Sequence, residues 1–128
     1  MSNETIQIVI LSGPSEPKRA IMGLSMAATA AAAGSKVNLY LAMDGAQWLS
    51  PRVCHSECVP GYPSVAELMS AIQQAGGALE YCPHCLVETC DHSLTDTVIK
   101  VDCCAGSTSP MGFAGIAVRM GECQTVVF

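Results

Sequence analysis

The 128-residue sequence predicts an α/β protein with a mostly parallel, five-stranded sheet between layers of helices. Two observations lead to this prediction. Short apolar runs rich in β-branched residues alternate with helix-length segments, and most of the helical segments end at glycine. Strands that alternate with helices are typical of parallel sheets covered on both faces. Since no repeat, charge block or low-complexity linker interrupts the alternation, we expect residues 1–128 to form one domain.

The first two strands are predicted at residues 6–11 and 37–42, which are short and apolar. Between them, an Ala-rich helix is expected, with Ser15 as its cap, Pro17 in its first turn and Gly34 as its stop. The small side chains of this helix allow close packing, so we expect it to be buried on more than one side.

The remaining elements follow an irregular stretch that reaches Pro63. Ser64 and Glu67 form a capping box at the start of a second long helix, which ends at Gly76. Later strands are predicted at 78–81, 98–101 and 125–128, and further helices after Pro83 and from 109–110 to Gly121.

Composition excludes several classes of function. The formal charge is −5, and only six Lys and Arg residues are spread over the chain, so a surface that tracks nucleic-acid phosphates is not expected. The longest apolar run, residues 20–33, is too short to span a membrane, and it follows a strand rather than the charged start of a signal peptide. We therefore expect a cytoplasmic protein whose eight cysteines are mostly reduced, and which forms a homo-oligomer.

The stretch YCPHCLVETC, residues 81–90, concentrates the chemistry of the sequence. Pro83 suits the first position of a helix, which places Cys82 at the N-terminus of that helix, where a thiolate is favoured. A thiolate can attack a sulfane sulfur and become a persulfide. Cys85 lies about one helical turn further on and can act as a helper thiol, and His84 can supply a proton or a positive charge.

Two alternatives use the same cysteines. The first is a metal site, in which Cys54 and Cys58, together with Cys82 and Cys85, offer four thiolates to a zinc ion, a copper ion or an iron–sulfur cluster. The second alternative is thiol–disulfide exchange by the Cys-x-x-Cys pair.

Several polar or sulfur-bearing segments follow predicted strands. They are residues 12–15, Asp44 with Gly45, Cys82, and Cys103 with Cys104. Because the carboxyl ends of parallel strands meet at one edge of a sheet, we expect these segments to line the same rim. Trp48 is expected either to form a wall over the cysteine pocket or to fill an oligomer contact.

The order of these features resembles the DsrE/DsrF/TusD-like family of small sulfur-relay proteins. The resemblance rests on residues 8–14, the Ala-rich helix, residues 37–41, Asp44 with Gly45, the segment 79–85 and the final 126–128. It implies a flavodoxin-like three-layer sandwich, assembly as a homotrimer or homohexamer, and sulfur-donor and sulfur-acceptor proteins as partners. It also implies a persulfide on Cys82, with Cys85 as the second cysteine. For the protein as a whole we expect no required cofactor, with a metal ion as the alternative.

Overall fold

The computed structural model of the chain describes residues 4–55, 59–89 and 108–128. The strands are β1 (Thr5–Ile10), β2 (Lys36–Leu41), β3 (Ala78–Tyr81), β4 (Thr108–Pro110) and β5 (Gln124–Val127). The helices are α1 (Pro17–Ala32), α2 (Pro51–Cys54), α3 (Val65–Gln74), α4 (Pro83–Thr89) and α5 (Phe113–Met120), and a 3₁₀ helix covers Met43–Leu49.

The strands form one five-stranded sheet in the order β4-β3-β2-β1-β5, and every neighbouring pair is parallel. The first three strands are consecutive neighbours, and right-handed crossovers between them place α1 and α3 on the same face, where the two helices pack together. Helix α5 connects strands in the opposite direction and lies on the other face, where Gln7 Nε2 donates to the Ile116 carbonyl at 3.4 Å. The predicted fold class is confirmed.

The face toward α1 carries the apolar core. Ile8, Ile10, Leu39 and Leu41 alternate inward from the two central strands and are buried. Helix α1 lies so close to the sheet that a Cβ on Gly23 would approach the Ile10 side chain to 2.6 Å. The small residues of α1 therefore allow close packing, as predicted. The expected burial on more than one side was wrong for the single chain, because Met22, Met26 and Thr29 on the outer side of the helix are exposed.

The face toward α5 is polar, although it is buried. Gln7, Asn38 and Glu80 all lie on it with little exposed surface. The Glu80 carboxylate forms a two-pronged ion pair with the Arg119 guanidinium of α5, with the Nη2–Oε2 distance at 2.6 Å. This pair connects β3, immediately before Cys82, to the helix that covers it.

Local predictions had mixed outcomes. The capping box is confirmed, because the Glu67 N–H donates to Ser64 Oγ and the Ser64 N–H donates to Glu67 Oε1. The prediction for Ser15 was wrong, since Glu16 is the residue before α1 and makes no side-chain cap. None of the helices within the described ranges is long and apolar enough to cross a membrane.

The last helix begins later than predicted. Residues 109–110 belong to β4, and α5 starts only at Phe113, after Gly112. Proline suits the first turn of a helix and also the outer edge of a sheet, and β4 is an edge strand, so both placements are sterically allowed. The strand predicted at 98–101 lies outside the described residues.

Candidate functional site

Cys82 lies where β3 ends at the carboxyl edge of the sheet and α4 begins at Pro83, as predicted. Its backbone N–H donates to the Leu41 carbonyl at 2.9 Å, which extends the pairing of β3 with β2 by one residue. The side chain is only 3% exposed. The sheet therefore fixes the position of the sulfur, and the first turn of α4 surrounds it.

Several hydrogen bonds converge on the Cys82 sulfur. The backbone N–H of Cys85 donates to it at 3.3 Å, and the Cys85 thiol, the Tyr40 hydroxyl and the N–H of His84 also interact with it. Burial by itself would raise the pKa of Cys82, but these hydrogen bonds oppose burial and hold the pKa below its ordinary value. The arrangement thus favours a thiolate at this position.

Cys85 has the opposite tendency. Its side chain is 4% exposed, and burial, the hydrogen bond to Cys82 and the neighbouring Cys82 charge raise the pKa of the Cys85 thiol. A backbone hydrogen bond from Met43 acts in the other direction without overcoming these effects. The pair is therefore asymmetric, because the pKa of Cys82 is lowered while the pKa of Cys85 is raised.

Tyr40 is a member of the site that sequence reasoning missed. It is buried on β2, next to β3, and its hydroxyl donates to the Met111 carbonyl at 2.9 Å while also interacting with the Cys82 sulfur. Burial, followed by the hydrogen bond to Cys82, raises the pKa of the phenol well above its ordinary value. Tyr40 therefore stays neutral, and its one hydroxyl proton is available to either the Met111 carbonyl or the Cys82 sulfur.

Met43 was also missed. It is the first residue of the 3₁₀ helix after β2, and its thioether sulfur lies 4.0 Å from the Cys85 sulfur. Its φ angle of +53° falls in the left-handed region, which is unfavourable for a residue with a side chain. Its position at the carboxyl end of β2, the strand beside β3, could have indicated that it lies near Cys82.

His84 contacts the Cys82 sulfur through its backbone, and the role of its imidazole as a source of a proton or positive charge stays a prediction. Its side chain is exposed on the outer side of α4, and its contact with the Cys82 sulfur is through the backbone N–H. Positions 82, 85 and 86 are buried, whereas 83 and 84 face outward, as helical periodicity requires. The imidazole therefore lies on the solvent side of the helix.

The predicted rim forms where the described residues allow it to be seen. A Cβ on Gly13 would come within 2.5 Å of the Asp44 carbonyl oxygen, so the turn after β1 packs directly on the turn after β2. Trp48 is fully buried below this contact, and its indole N–H donates to the Ser12 carbonyl at 2.8 Å. Trp48 thus ties the two turns together as a core residue. Cys103 and Cys104 lie outside the described residues.

The predicted four-thiolate metal set is only partly visible. Cys54 is fully buried at the end of α2, and Cys58 lies outside the described residues. Within residues 4–55, 59–89 and 108–128, no three His, Cys, Asp or Glu side chains are grouped as metal ligands. Cys54 does not join Cys82 and Cys85 in such a group, and the complete set stays a prediction.

Together, the fold and the site define a class: parallel α/β proteins with a buried, hydrogen-bonded cysteine at the carboxyl edge of the sheet. The model of the DsrE/DsrF-like family matches residues 5–128, so the chain belongs to that family. Membership suggests a role in sulfur relay in general terms. A comparison with curated protein sequences gives no match.

Two solved structures share the fold. The YchN protein from E. coli superposes with a TM-score of 0.71 at 12% identity, covering 98% of this chain and 99% of that one. The conserved protein of unknown function BT1422 from Bacteroides thetaiotaomicron superposes with a TM-score of 0.60 at 12% identity, covering 98% and 96% of the two chains. At this identity the likeness concerns the fold alone.

Proposed function

We propose that this protein is a sulfur carrier, in which Cys82 accepts a sulfane sulfur as a persulfide and passes it to a cysteine of another protein. The observation that supports this most directly is the hydrogen bonding of the buried Cys82 sulfur, which lowers the pKa of the thiol. A thiolate, rather than a thiol, is the nucleophile that attacks a sulfur–sulfur bond.

The transfer reaction conserves atoms and charge. The Cys82 thiolate attacks the outer sulfur of a donor persulfide, the sulfur–sulfur bond of the donor breaks, and the donor leaves as a thiolate. The product is a persulfide on Cys82. In the second half of the cycle, a thiolate of the acceptor protein attacks the outer sulfur of this persulfide, and Cys82 is released again as a thiolate. No external oxidant or reductant is needed.

Cys85 serves this cycle as a donor. Its raised pKa keeps the thiol protonated, so that it donates a hydrogen bond to the Cys82 sulfur and does not compete as a nucleophile. If Cys85 loses its proton, it can attack the inner sulfur, form a Cys82–Cys85 disulfide and release hydrosulfide. The pKa of Cys85 therefore protects the persulfide against premature loss.

The proposal includes partners and assembly. The donor and acceptor are proteins that present a cysteine, and they approach past the exposed side chains of Met43 and His84. We further propose that the protein works in the cytoplasm as a homotrimer or homohexamer. Apolar side chains left exposed on one chain support assembly, among them Met22, Met26, Phe113, Val118, Met120 and Val127. Light scattering on the purified protein tests the assembly state directly.

Mass spectrometry tests the carrier function. Reduced protein is incubated anaerobically with inorganic polysulfide, and intact-mass analysis with peptide mapping should place one added sulfur on Cys82. The adduct should disappear in Cys82→Ser. Cys123→Ser is the matched control, because Cys123 is a partly buried thiol directly before β5, at the amino edge of the sheet and away from Cys82, and this variant should retain the adduct. An adduct that persists in Cys82→Ser would refute the proposal.

Thiol–disulfide exchange is the second candidate, since the Cys85 thiol contacts the Cys82 sulfur directly. The same experiment distinguishes the two functions. A redox protein would yield a Cys82–Cys85 disulfide and no stable added sulfur, whereas a carrier yields the adduct. Replacing Cys85 with Ser would abolish exchange but leave the adduct on Cys82.

A further inference from the structure

Three sulfur atoms lie in a chain of contacts at the carboxyl edge of the sheet. The Cys85 thiol hydrogen-bonds the Cys82 sulfur on one side and contacts the Met43 thioether at 4.0 Å on the other. Both cysteines are thiols and not part of a disulfide. The carrier function has no use for a thioether, so its presence beside the thiol pair needs a separate explanation.

The distance between the Cys85 and Met43 sulfurs equals the sulfur–sulfur distance of a trigonal metal centre. A thiolate bond to a first-row ion with a filled d shell is about 2.3 Å long, as for Zn²⁺. Three sulfurs placed evenly around such an ion in one plane are then separated by about 4.0 Å, which is the ion–sulfur distance multiplied by the square root of three. The contact between Cys85 and Met43 has this length.

The identity of the ligands selects the ion. Thiolate and thioether sulfur favour Cu(I), whereas Zn²⁺ prefers four thiolate, imidazole or carboxylate ligands. Among the described residues, no third His, Cys, Asp or Glu joins Cys82 and Cys85 as a ligand. In the part of the chain that the structure describes, the further sulfur beside the pair is the Met43 thioether, and Cu(I) is an ion that accepts a thioether ligand.

The backbone of Met43 adds a second observation. Met43 is held at a φ of +53°, a conformation that glycine would adopt without strain. Such strain is maintained where the surrounding structure requires it, and it is concentrated at ligand sites. Met43 is also 55% exposed, so an ion can reach the thiol pair along its side chain.

We propose that Cys82, Cys85 and Met43 form a binding site for one Cu(I) ion. Cys82 binds as a thiolate and Cys85 loses its proton to the solvent, so that two copper–thiolate bonds form, while the Met43 thioether donates a lone pair and copper stays in the +1 state. The hydrogen bonds from Tyr40 and from the N–H groups of His84 and Cys85 stabilise the resulting negative charge on the sulfurs.

The test is an anaerobic titration of the reduced, full-length protein with Cu(I) in the presence of bathocuproine disulfonate as a competing chelator. The first equivalent should bind with three sulfurs around copper by X-ray absorption. Met43→Leu should leave two sulfurs and weaken binding about tenfold or more, because loss of even an outer-shell group commonly costs 10- to 100-fold in metal affinity. Met22→Leu is the matched control, since Met22 is also 55% exposed, and it should bind as the parent does.

The remaining cysteines require a second comparison. A variant with both Cys82→Ser and Cys85→Ser should lose the first equivalent, and Met43→Gly, which suits the left-handed backbone, should behave like Met43→Leu. Three sulfurs in either Met43 variant, or unchanged affinity in the double cysteine variant, would overturn the proposal. Sulfur relay is measured without copper, so polysulfide uptake without Cu(I) binding removes only this site, and Cu(I) binding without polysulfide uptake removes only the carrier function.

Discussion

Replacing Arg119 with Met should destabilise the protein through the buried Glu80 carboxylate. The Glu80 side chain is 7% exposed and pairs with Arg119, which is 23% exposed. Removing one partner of a buried ion pair costs about 3–5 kcal/mol, because the other charge is left without compensation. Water reaches the Arg119 side, which reduces the penalty, so we expect a loss of about 2–3 kcal/mol in the free energy of unfolding.

Urea denaturation followed by circular dichroism measures this loss. With a urea dependence of about 1–3 kcal/mol per molar, the midpoint should fall by roughly 0.7–3 M. Arg19→Met on the exposed side of α1 is the control and should change stability by less than about 0.5 kcal/mol. The double variant Glu80→Leu/Arg119→Met should recover much of the loss, since a buried pair replaced by apolar residues is often neutral.

Equal destabilisation by Arg119→Met and Arg19→Met would refute the reasoning. The reasoning would also fail if the double variant Glu80→Leu/Arg119→Met lost as much stability as Glu80→Leu and Arg119→Met lose separately in sum. Such additivity would mean that the two side chains do not interact energetically in solution.

Three further predictions concern single side chains. Tyr40→Phe removes a hydrogen bond that favours the Cys82 thiolate, so the pH profile of Cys82 alkylation by iodoacetamide should move to higher pH; an unchanged profile would contradict the proposed contact. Ser64→Ala removes a cap and should cost about 1 kcal/mol by urea denaturation, whereas Ser64→Asp should restore it. In Gly45→Ala, the new Cβ would overlap the Ile10 carbonyl oxygen, so a loss of about 3 kcal/mol is expected, and near-native stability would show that the turn can move.

The fold could be predicted because its signals are local. A few neighbouring residues are enough to predict the conformation of β1, of β2 and of the capping box at Ser64. The end of β3 and the start of α4 at Pro83 could also be predicted from local sequence, and together they gave the position of Cys82 in the fold. By contrast, residues 109–110 satisfy both a helix start and an edge strand, and only pairing with β3 decides between them.

The candidate site was less predictable because its members come from different elements. Tyr40 reads as an ordinary strand residue until the pairing of β2 with β3 places it beside Cys82. Met43 depends on a left-handed turn that no local motif announces. The outward position of His84 could have been predicted, since a helix that starts at Pro83 and buries positions 82 and 85 turns position 84 away.

The sheet order has a consequence for folding kinetics. Strands β1, β2 and β3 are neighbours in both sequence and space, so their pairing closes only moderate loops. Strand β5 pairs with β1 across most of the chain, as in Ile8 with Val126, and its residues remain largely exposed. Strands that are far apart in sequence pair slowly during folding. Separation of β5 from β1 in the folded protein would be a local opening of the sheet. Amide hydrogen exchange in β5 should therefore be faster than in β2. Water should reach the polar face of the sheet beneath α5 while β2 and β3, which hold the sulfur site, are still paired.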